Sequence, residues 1–388
     1  MCDQAHALVA AFQAYGVDAE LMPESDGQTL VWGKKYTTGK ECYPCVLTTG
    51  DIAKMVHRPD FDPDHSAFFM PSGSGPCRFG CYHRFHRNVL DEMGFESVPV
   101  LSPHQDTAFY DDLGITGHGW DRLAWRGIVA GCYLERALLQ TRPYELNPGE
   151  TDAVYWECMD ELCVAIRSKK PLIPVLKRAK DRFETVPVNK SVRKPVIGIV
   201  GEIYLRLNRY ANENTIRQIE ELGGEVRMAP FTEWIYYLNT VTNRHARADR
   251  EYRRLLKTAV KDRVQRHDDR CAARTFSGFF DHPLEPTVES TLDAAGPYLS
   301  TYYEGEAILS LGRSVEFVHE EVNGIVSLMP FTCMPGTIVY SLLKRCRESY
   351  NNVPVLNLSF EGHEQTTTRT RLEAFLYQAR SFKLTGQH

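Results

Sequence analysis

The sequence predicts an α/β protein built as two domains with parallel sheets, and three observations carry that expectation. The chain has 388 residues, more than one ordinary core accommodates. Short apolar runs alternate with helix-patterned segments along most of its length. Two distant stretches, AFFMPSGSGPC (67–77) and VSLMPFTCMPG (326–336), share one plan: apolar strand, Met-Pro, then a small-residue loop carrying a cysteine ahead of a helix.

The elements follow in order. Apolar residues at helical spacing over 5–16 end at Gly16, and DAELMP (18–23) reads as a strand. SAFFMP (66–71) and SVPVLSP (97–103) are compact apolar runs of the kind that become buried parallel strands. Between them 84–94 reads as a helix closed by Gly94. Helical patterning continues over 120–140 and 150–180. The polar, basic stretch VPVNKSVRK (186–194) marks a boundary, giving domains 1–190 and 191–388. The second begins with a strand that runs into a glycine turn, KPVIGIVGEIY (194–204). Helix, Gly-Gly stop and strand follow over 212–230. A strand at 323–330, a helix to about Arg347, a strand at 353–360 and a helix over 369–380 complete the alternation. Such alternation predicts parallel sheets covered on both faces, as in two Rossmann- or flavodoxin-like domains with a cleft between them. Ligands of open α/β sheets bind at the carboxyl ends of strands, so the two cysteine loops are expected to bring Cys77 and Cys333 to one cleft.

Composition narrows the function. A net charge of −5 supplies no overall basic field for nucleic acid or anionic lipid. The Arg-rich stretch 243–270 interleaves acids at helical spacing, which reads as a solvated helix face. No apolar stretch is long enough to span a membrane or serve as a signal peptide, so a cytoplasmic location is expected. Thiols stay reduced there, and eleven cysteines cannot all pair within one chain.

The cysteines divide into two kinds. Cys2, Cys158, Cys163, Cys271 and Cys346 lie in apolar or helical surroundings and read as small core residues, as does Cys132. The loop cysteines differ. In ECYPC, Pro44 stiffens the turn between Cys42 and Cys45. Cys77 and Cys81 stand one helical turn apart at an expected helix start, where N–H groups and the helix dipole favour thiolate. Thiolates serve an iron–sulfur cluster, a four-cysteine zinc site, a C-x-x-C redox pair or a nucleophile. Zinc usually staples domains with little core and gives no role to Cys333; thiol exchange leaves the second pair idle; a nucleophile uses one thiol only.

Other motifs are weaker. GQTLVWGKK (27–35) imitates a phosphate loop, but five residues separate Gly27 from Gly33 where four are required, and Lys35 stands where Ser or Thr is needed. Glu202, Tyr204 and Arg206 follow a strand, where they read either as ligand-facing or as solvated turn residues. Glu361, His363 and Glu364 after the last strand are candidates for acid–base work, beside a run of Thr suited to helix capping.

Taken together, GKECYPCVLTTGDIAKM, FFMPSGSGPCRFGCY, RPYE (142–145), GIVGEIYLR, EGEAILSLG (304–312), GIVSLMPFTCMPG and TRLEAF (370–375) resemble the 2-hydroxyacyl-CoA dehydratase/benzoyl-CoA reductase superfamily. Within it they look most like the activase-associated branch to which the double-cubane cluster proteins are similar. The resemblance spans nearly the whole chain. It implies paired α/β domains with an iron–sulfur cluster between them, either 4Fe–4S or double-cubane 8Fe–9S. It also implies electrons supplied by a separate ATP-hydrolysing activase that itself carries a 4Fe–4S cluster. The activity implied is reduction of a small substrate, or dehydration of an acyl-CoA, by an assembly such as a homodimer. Cys45 (or Cys42), Cys77 and Cys333 match the family's three-cysteine plan, and Cys42 and Cys81 are additional thiols that lean toward the larger cluster. Glu202 and His363 are the candidate proton-handling residues. A cluster-bearing or zinc-bearing accessory protein without turnover is the alternative from another class.

Overall fold

Proline and helix-capping residues decide what forms in the first half. In the computed structural model, which describes residues 3–105, 119–362 and 367–382, helices α1 (Gln4–Ala14), α2 (Gly27–Lys35) and α3 (Tyr43–Val56) come first. The strand expected at 18–23 does not form. Ala19 and Met22 are partly buried and the other residues exposed, and among the described residues no strand pairs with the segment, so no ladder can hold it. The imperfect phosphate loop is α2. Asp26 accepts the Thr29 N–H at 2.8 Å and donates its own N–H to Thr29 Oγ1 at 3.1 Å, closing a capping box.

Strands β1 (Phe68–Phe69) and β2 (Val100–Leu101) pair in parallel, with helix α4 (Tyr82–Glu92) between them in sequence. This sheet is far shorter than the sequence led us to expect. Pro71, Pro99 and Pro103 crowd both strands and lack the N–H that a longer ladder needs. Helices α5 (Trp120–Thr141), α6 (Glu150–Arg167) and α7 (Ile173–Thr185) follow. The single helix expected over 150–180 breaks where Lys169 takes φ 51, just ahead of Pro171.

The second half holds the main sheet. Strands β3 (Val196–Gly201), β4 (Glu225–Met228), β5 (Gly324–Pro330) and β6 (Val355–Phe360) are all parallel, in the order β4-β3-β5-β6. Every residue of β3 is buried, as expected for a strand covered on both faces. Between β3 and β4 lie α8 (Ile203–Leu207) and α9 (Thr215–Glu221). Between β4 and β5 come α10 (Phe231–Ala248), α11 (Tyr252–Thr275), α12 (Val288–Ala295) and α13 (Glu306–His319). The last helices are α14 (Met334–Ser349) and α15 (Thr368–Ser381). From β3 the chain moves outward to β4, then returns to lay β5 on the other side of β3. Connections therefore diverge between β3 and β5, and a crevice is expected outside their carboxyl ends.

Packing crosses the expected boundary near 190. The largest apolar cluster unites α1, α5, α6 and α7 with residues from α10 to α14. Leu47 and Tyr43 of α3 pack with the sheet and α15. The charged stretch 243–270 is largely exposed or half-exposed, as a solvated helix face should be, and two aspartates on its inner side anchor it. Asp268 accepts hydrogen bonds from Arg122 and Arg126 at 2.9 Å, and Asp269 accepts those of Tyr133 and Tyr236 at 2.9 Å. These bonds hold α11 against α5 and α10. Arg142 makes a second brace, with two N–H groups donating to Glu220 at 2.8 and 2.9 Å and a third to Asp152 at 2.9 Å. No helix among the described residues is long and apolar enough to cross a membrane.

Candidate functional site

Three loops place their cysteines at or beside the first turn of a helix. Glu41 fixes the first loop by accepting the N–H groups of Thr38 and Lys40 at 2.9 and 3.1 Å. Cys42 then caps α3, with Pro44 in the first turn, where its missing N–H leaves no gap in the helix. The stiff turn expected at Pro44 is thus a helix start, and Cys45 lies inside it. Cys77 caps a short 3₁₀ turn (78–81), its sulfur accepting the Phe79 N–H at 3.5 Å. Cys333 caps α14, its sulfur accepting the Gly336 N–H at 3.4 Å. The residue before it, Thr332, is held at φ 60, a strained position for a β-branched side chain.

Four of the thiols share one electrostatic neighbourhood. Cys42 and Cys45 pack with Tyr82, whose hydroxyl lies 2.6 Å from the Cys42 sulfur. Cys45 feels the charge of Cys42; Cys333 feels that of Cys42; Cys77 feels that of Cys333. Cys42, Cys45 and Cys333 are buried and Cys77 is partly so. Cys81 differs: it is exposed, at the N-terminus of α4.

The expectation that helix starts favour thiolate is overturned for Cys77 by burial. Burial, followed by the charge of Glu306, raises its pKa despite the Phe79 N–H. The same two causes push Cys333 up to about 12, and burial followed by the charge of Cys42 pushes Cys45 up to about 12. Burial raises Cys42 against the opposing Tyr82 hydroxyl. In the protein alone these thiols stay protonated at neutral pH, and only a positively charged partner would make them thiolates.

Two carboxyls face the thiols. Glu202 caps α8, accepting the Tyr204 and Leu205 N–H groups at 3.0 and 2.8 Å. It follows Gly201, where a Cβ would lie 2.0 Å from the Leu328 oxygen and φ is 116. Only glycine lets β3 end there, and the Glu202 N–H donates to that same oxygen at 2.9 Å. Glu306 opens α13, and one of its oxygens accepts the Ile203 N–H at 3.3 Å. Burial and then the charge of Glu202 push Glu306 up to about 8; burial raises Glu202 as well. Arg206, buried, lies near both carboxyls and donates to the Ala229 oxygen at 2.9 Å. The reading of Glu202, Tyr204 and Arg206 as solvated turn residues is therefore replaced: Tyr204 and Arg206 are buried and Glu202 partly so.

Glu306 was not named as a site residue from the sequence, although it lies in EGEAILSLG (304–312), one of the stretches that carry the resemblance. His363 and Glu364 lie outside the described residues, as does Cys2. Cys132, Cys158, Cys163 and Cys346 are buried as expected, whereas Cys271 is partly exposed near His267.

The donor set can be tested against the group that the sequence resemblance implies. No three His, Cys, Asp or Glu side chains among the described residues converge closely enough to grip one ion. Ligands that each hold a different iron of a multinuclear cluster stand farther apart than ligands of a single ion. Soft thiols drawn from three separate loops suit such a cluster. Known proteins contribute no assignment, since neither any family model nor any curated protein matches the chain.

Proposed function

We propose that this chain is an iron–sulfur protein that accepts low-potential electrons from a separate ATP-hydrolysing activase and reduces a small substrate in the crevice outside β3 and β5. Cys42, Cys45, Cys77 and Cys333 would hold the cluster, with Cys81 as a further thiol at its edge. The observation that carries this reading is the electrostatic coupling of Cys77, from the first half, with Cys333, from the second, beside two protonatable carboxyls. The strand order β4-β3-β5-β6 supports a flavodoxin-like second domain, with the site at its switch point.

A cluster held there supplies single electrons. The chain's own residues do the rest. Burial raises Glu202 while two backbone N–H groups oppose it by stabilising its carboxylate, and burial, then the charge of Glu202, pushes Glu306 up to about 8. Glu306 is thus the acid that can release a proton toward the crevice. Tyr82 holds the Cys42 sulfur, and burial of Tyr43 and Leu47 excludes water from beneath α3.

Anaerobic reconstitution with iron and sulfide tests the reading. About four or eight irons per chain are expected, with a paramagnetic signal on reduction. Cys77→Ser and Cys333→Ser are each expected to lower the iron content, and Cys158→Ser to leave it intact. An iron-free wild type, or equal loss in Cys158→Ser, overturns it. Adding an activase, ATP and a reductant then separates an electron acceptor from a cluster-bearing accessory protein, whose spectrum would not change.

A further inference from the structure

The chain is acidic overall, with a net charge of −5, yet the segments around its first-half cysteines are basic. Stretches 27–40 and 73–90 contain Lys34, Lys35, Lys40, Arg78, Arg84 and Arg87 and no acidic residue. Arg87 turns inward to donate to the Val98 and Phe95 oxygens, and the other five are exposed. Contacts set these five around the thiol loops. Lys34 and Lys35 end α2, where Gly33 packs directly against the oxygen of Val46, the residue after Cys45. Lys34 donates to the Gly362 oxygen at 3.2 Å, and Gly362 packs on Tyr43, the residue after Cys42. The Lys40 oxygen accepts Arg78 Nη1 at 2.8 Å, which ties the first cysteine loop to the second. Arg84 stands in the first turn of α4, three residues after the exposed Cys81. Glu41 nearby is held by the N–H groups of Thr38 and Lys40; Glu361, beside Gly362, is an exposed acid at the margin.

The opposite lip is apolar. Phe331 and Met334, on either side of Cys333 in sequence, are 56% and 45% exposed. The Tyr303 hydroxyl donates to the Met334 sulfur at 2.8 Å, and two residues on, a Cβ at Gly305 would lie 3.5 Å from Pro76, the neighbour of Cys77. The two lips therefore meet beside the thiols. Cations on one side and exposed apolar side chains on the other make a protein-docking face, in which charge steers arrival and apolar contact holds the partner. A second copy of this chain would set the same cations face to face. A nucleic acid would run past the patch onto the acidic remainder, whereas a protein that covers only this face senses local charge, since screening sets in within about 8 Å.

Resting on the reading above, we propose that this face, basic at Lys34, Lys35, Lys40, Arg78 and Arg84 and apolar at Phe331 and Met334, is where the electron-donating partner docks, and that the partner meets it with an acidic surface. One electron passes from the partner, which is oxidised, to this chain, which is reduced; no bond and no proton moves. Electron-transfer encounters are small and transient, so steering by charge and a modest apolar contact suit the step.

Binding of the ATP-hydrolysing activase to the full chain, iron-loaded and metal-free, followed by stopped flow, tests the face by a readout other than turnover. Association is expected to slow steeply from about 25 to about 300 mM salt. Lys40→Glu with Arg84→Glu should slow it by about tenfold at low salt and leave dissociation nearly unchanged. Phe331→Ser should instead speed dissociation. Lys170→Glu with Lys177→Glu, which reverses two exposed cations at α7, should change neither rate. An association rate indifferent to salt, unchanged in Lys40→Glu with Arg84→Glu, or slowed as much by the α7 pair, overturns the proposal. Tighter binding of a short single-stranded RNA than of the activase at the same residues overturns it too. Iron uptake without activase binding refutes the docking face alone, and activase binding without iron uptake refutes only the cluster reading.

Discussion

Replacing Glu306 by Gln is expected to make the metal-free protein more stable as pH rises, and the size of the effect follows from the site. The unfolded chain releases this proton near 4.5, the folded chain at about 8, because burial and the charge of Glu202 disfavour a second carboxylate. The folded form is thus the one that keeps the proton. The stabilisation this represents is complete below pH 4.5 and is lost progressively as pH climbs to about 8. Across that window each pH unit costs the wild type about 1.4 kcal/mol. By pH 8 the loss relative to E306Q reaches up to about 5 kcal/mol. Glutamine keeps the shape and the oxygen that accepts the Ile203 N–H, so little else changes. Urea unfolding of both metal-free proteins, at steps from pH 5 to pH 8, gives the difference directly. Parallel stability curves would refute the claim that Glu306 is held protonated by its surroundings.

The other expected outcomes concern the frame around the site. Gly201→Ala should destabilise by about 3 kcal/mol or more in urea unfolding, because the added Cβ meets the Leu328 oxygen where β3 must end. Arg142→Met should cost about 3–5 kcal/mol by leaving Glu220 buried without its partner, and Arg142→Met with Glu220→Met should recover most of it. Thr332→Gly should stabilise by about 0.5–1 kcal/mol, relief of strain outweighing the freedom gained by the unfolded chain. A higher iron off-rate in that variant would show that the strain helps hold Cys333 in place.

Much of the frame was legible because its signals are local. Gly16 and Gly94, at φ 82 and 83, close the helices they were expected to close. The strand at 194–204, the Gly-Gly stop and the last two strands follow from unbroken apolar runs and glycine turns, which neighbours cannot easily override. The misreadings were also local. A strand at 18–23 needs a partner that its own residues do not specify, and the prolines flanking β1 and β2 cut short a sheet that apolar content alone would extend. The imperfect phosphate loop became a capped helix because Asp26 and Thr29 satisfy each other three residues apart.

What the chain alone determined is the inventory: which loops carry cysteine, which strands are covered on both faces, and where glycine permits a sharp end. Spacing within a loop expresses those choices, since they depend on backbone angles and on neighbours a few residues away. Only the folded structure decided which of these groups meet and in what protonation state. Cys333 lies within electrostatic reach of both Cys42 and Cys77, Cys81 does not join them in burial, and Glu306 lies beside Glu202 although far from it in sequence. Desolvation is the reason: how far a charge is removed from water depends on everything packed around it, and no short stretch of sequence records that.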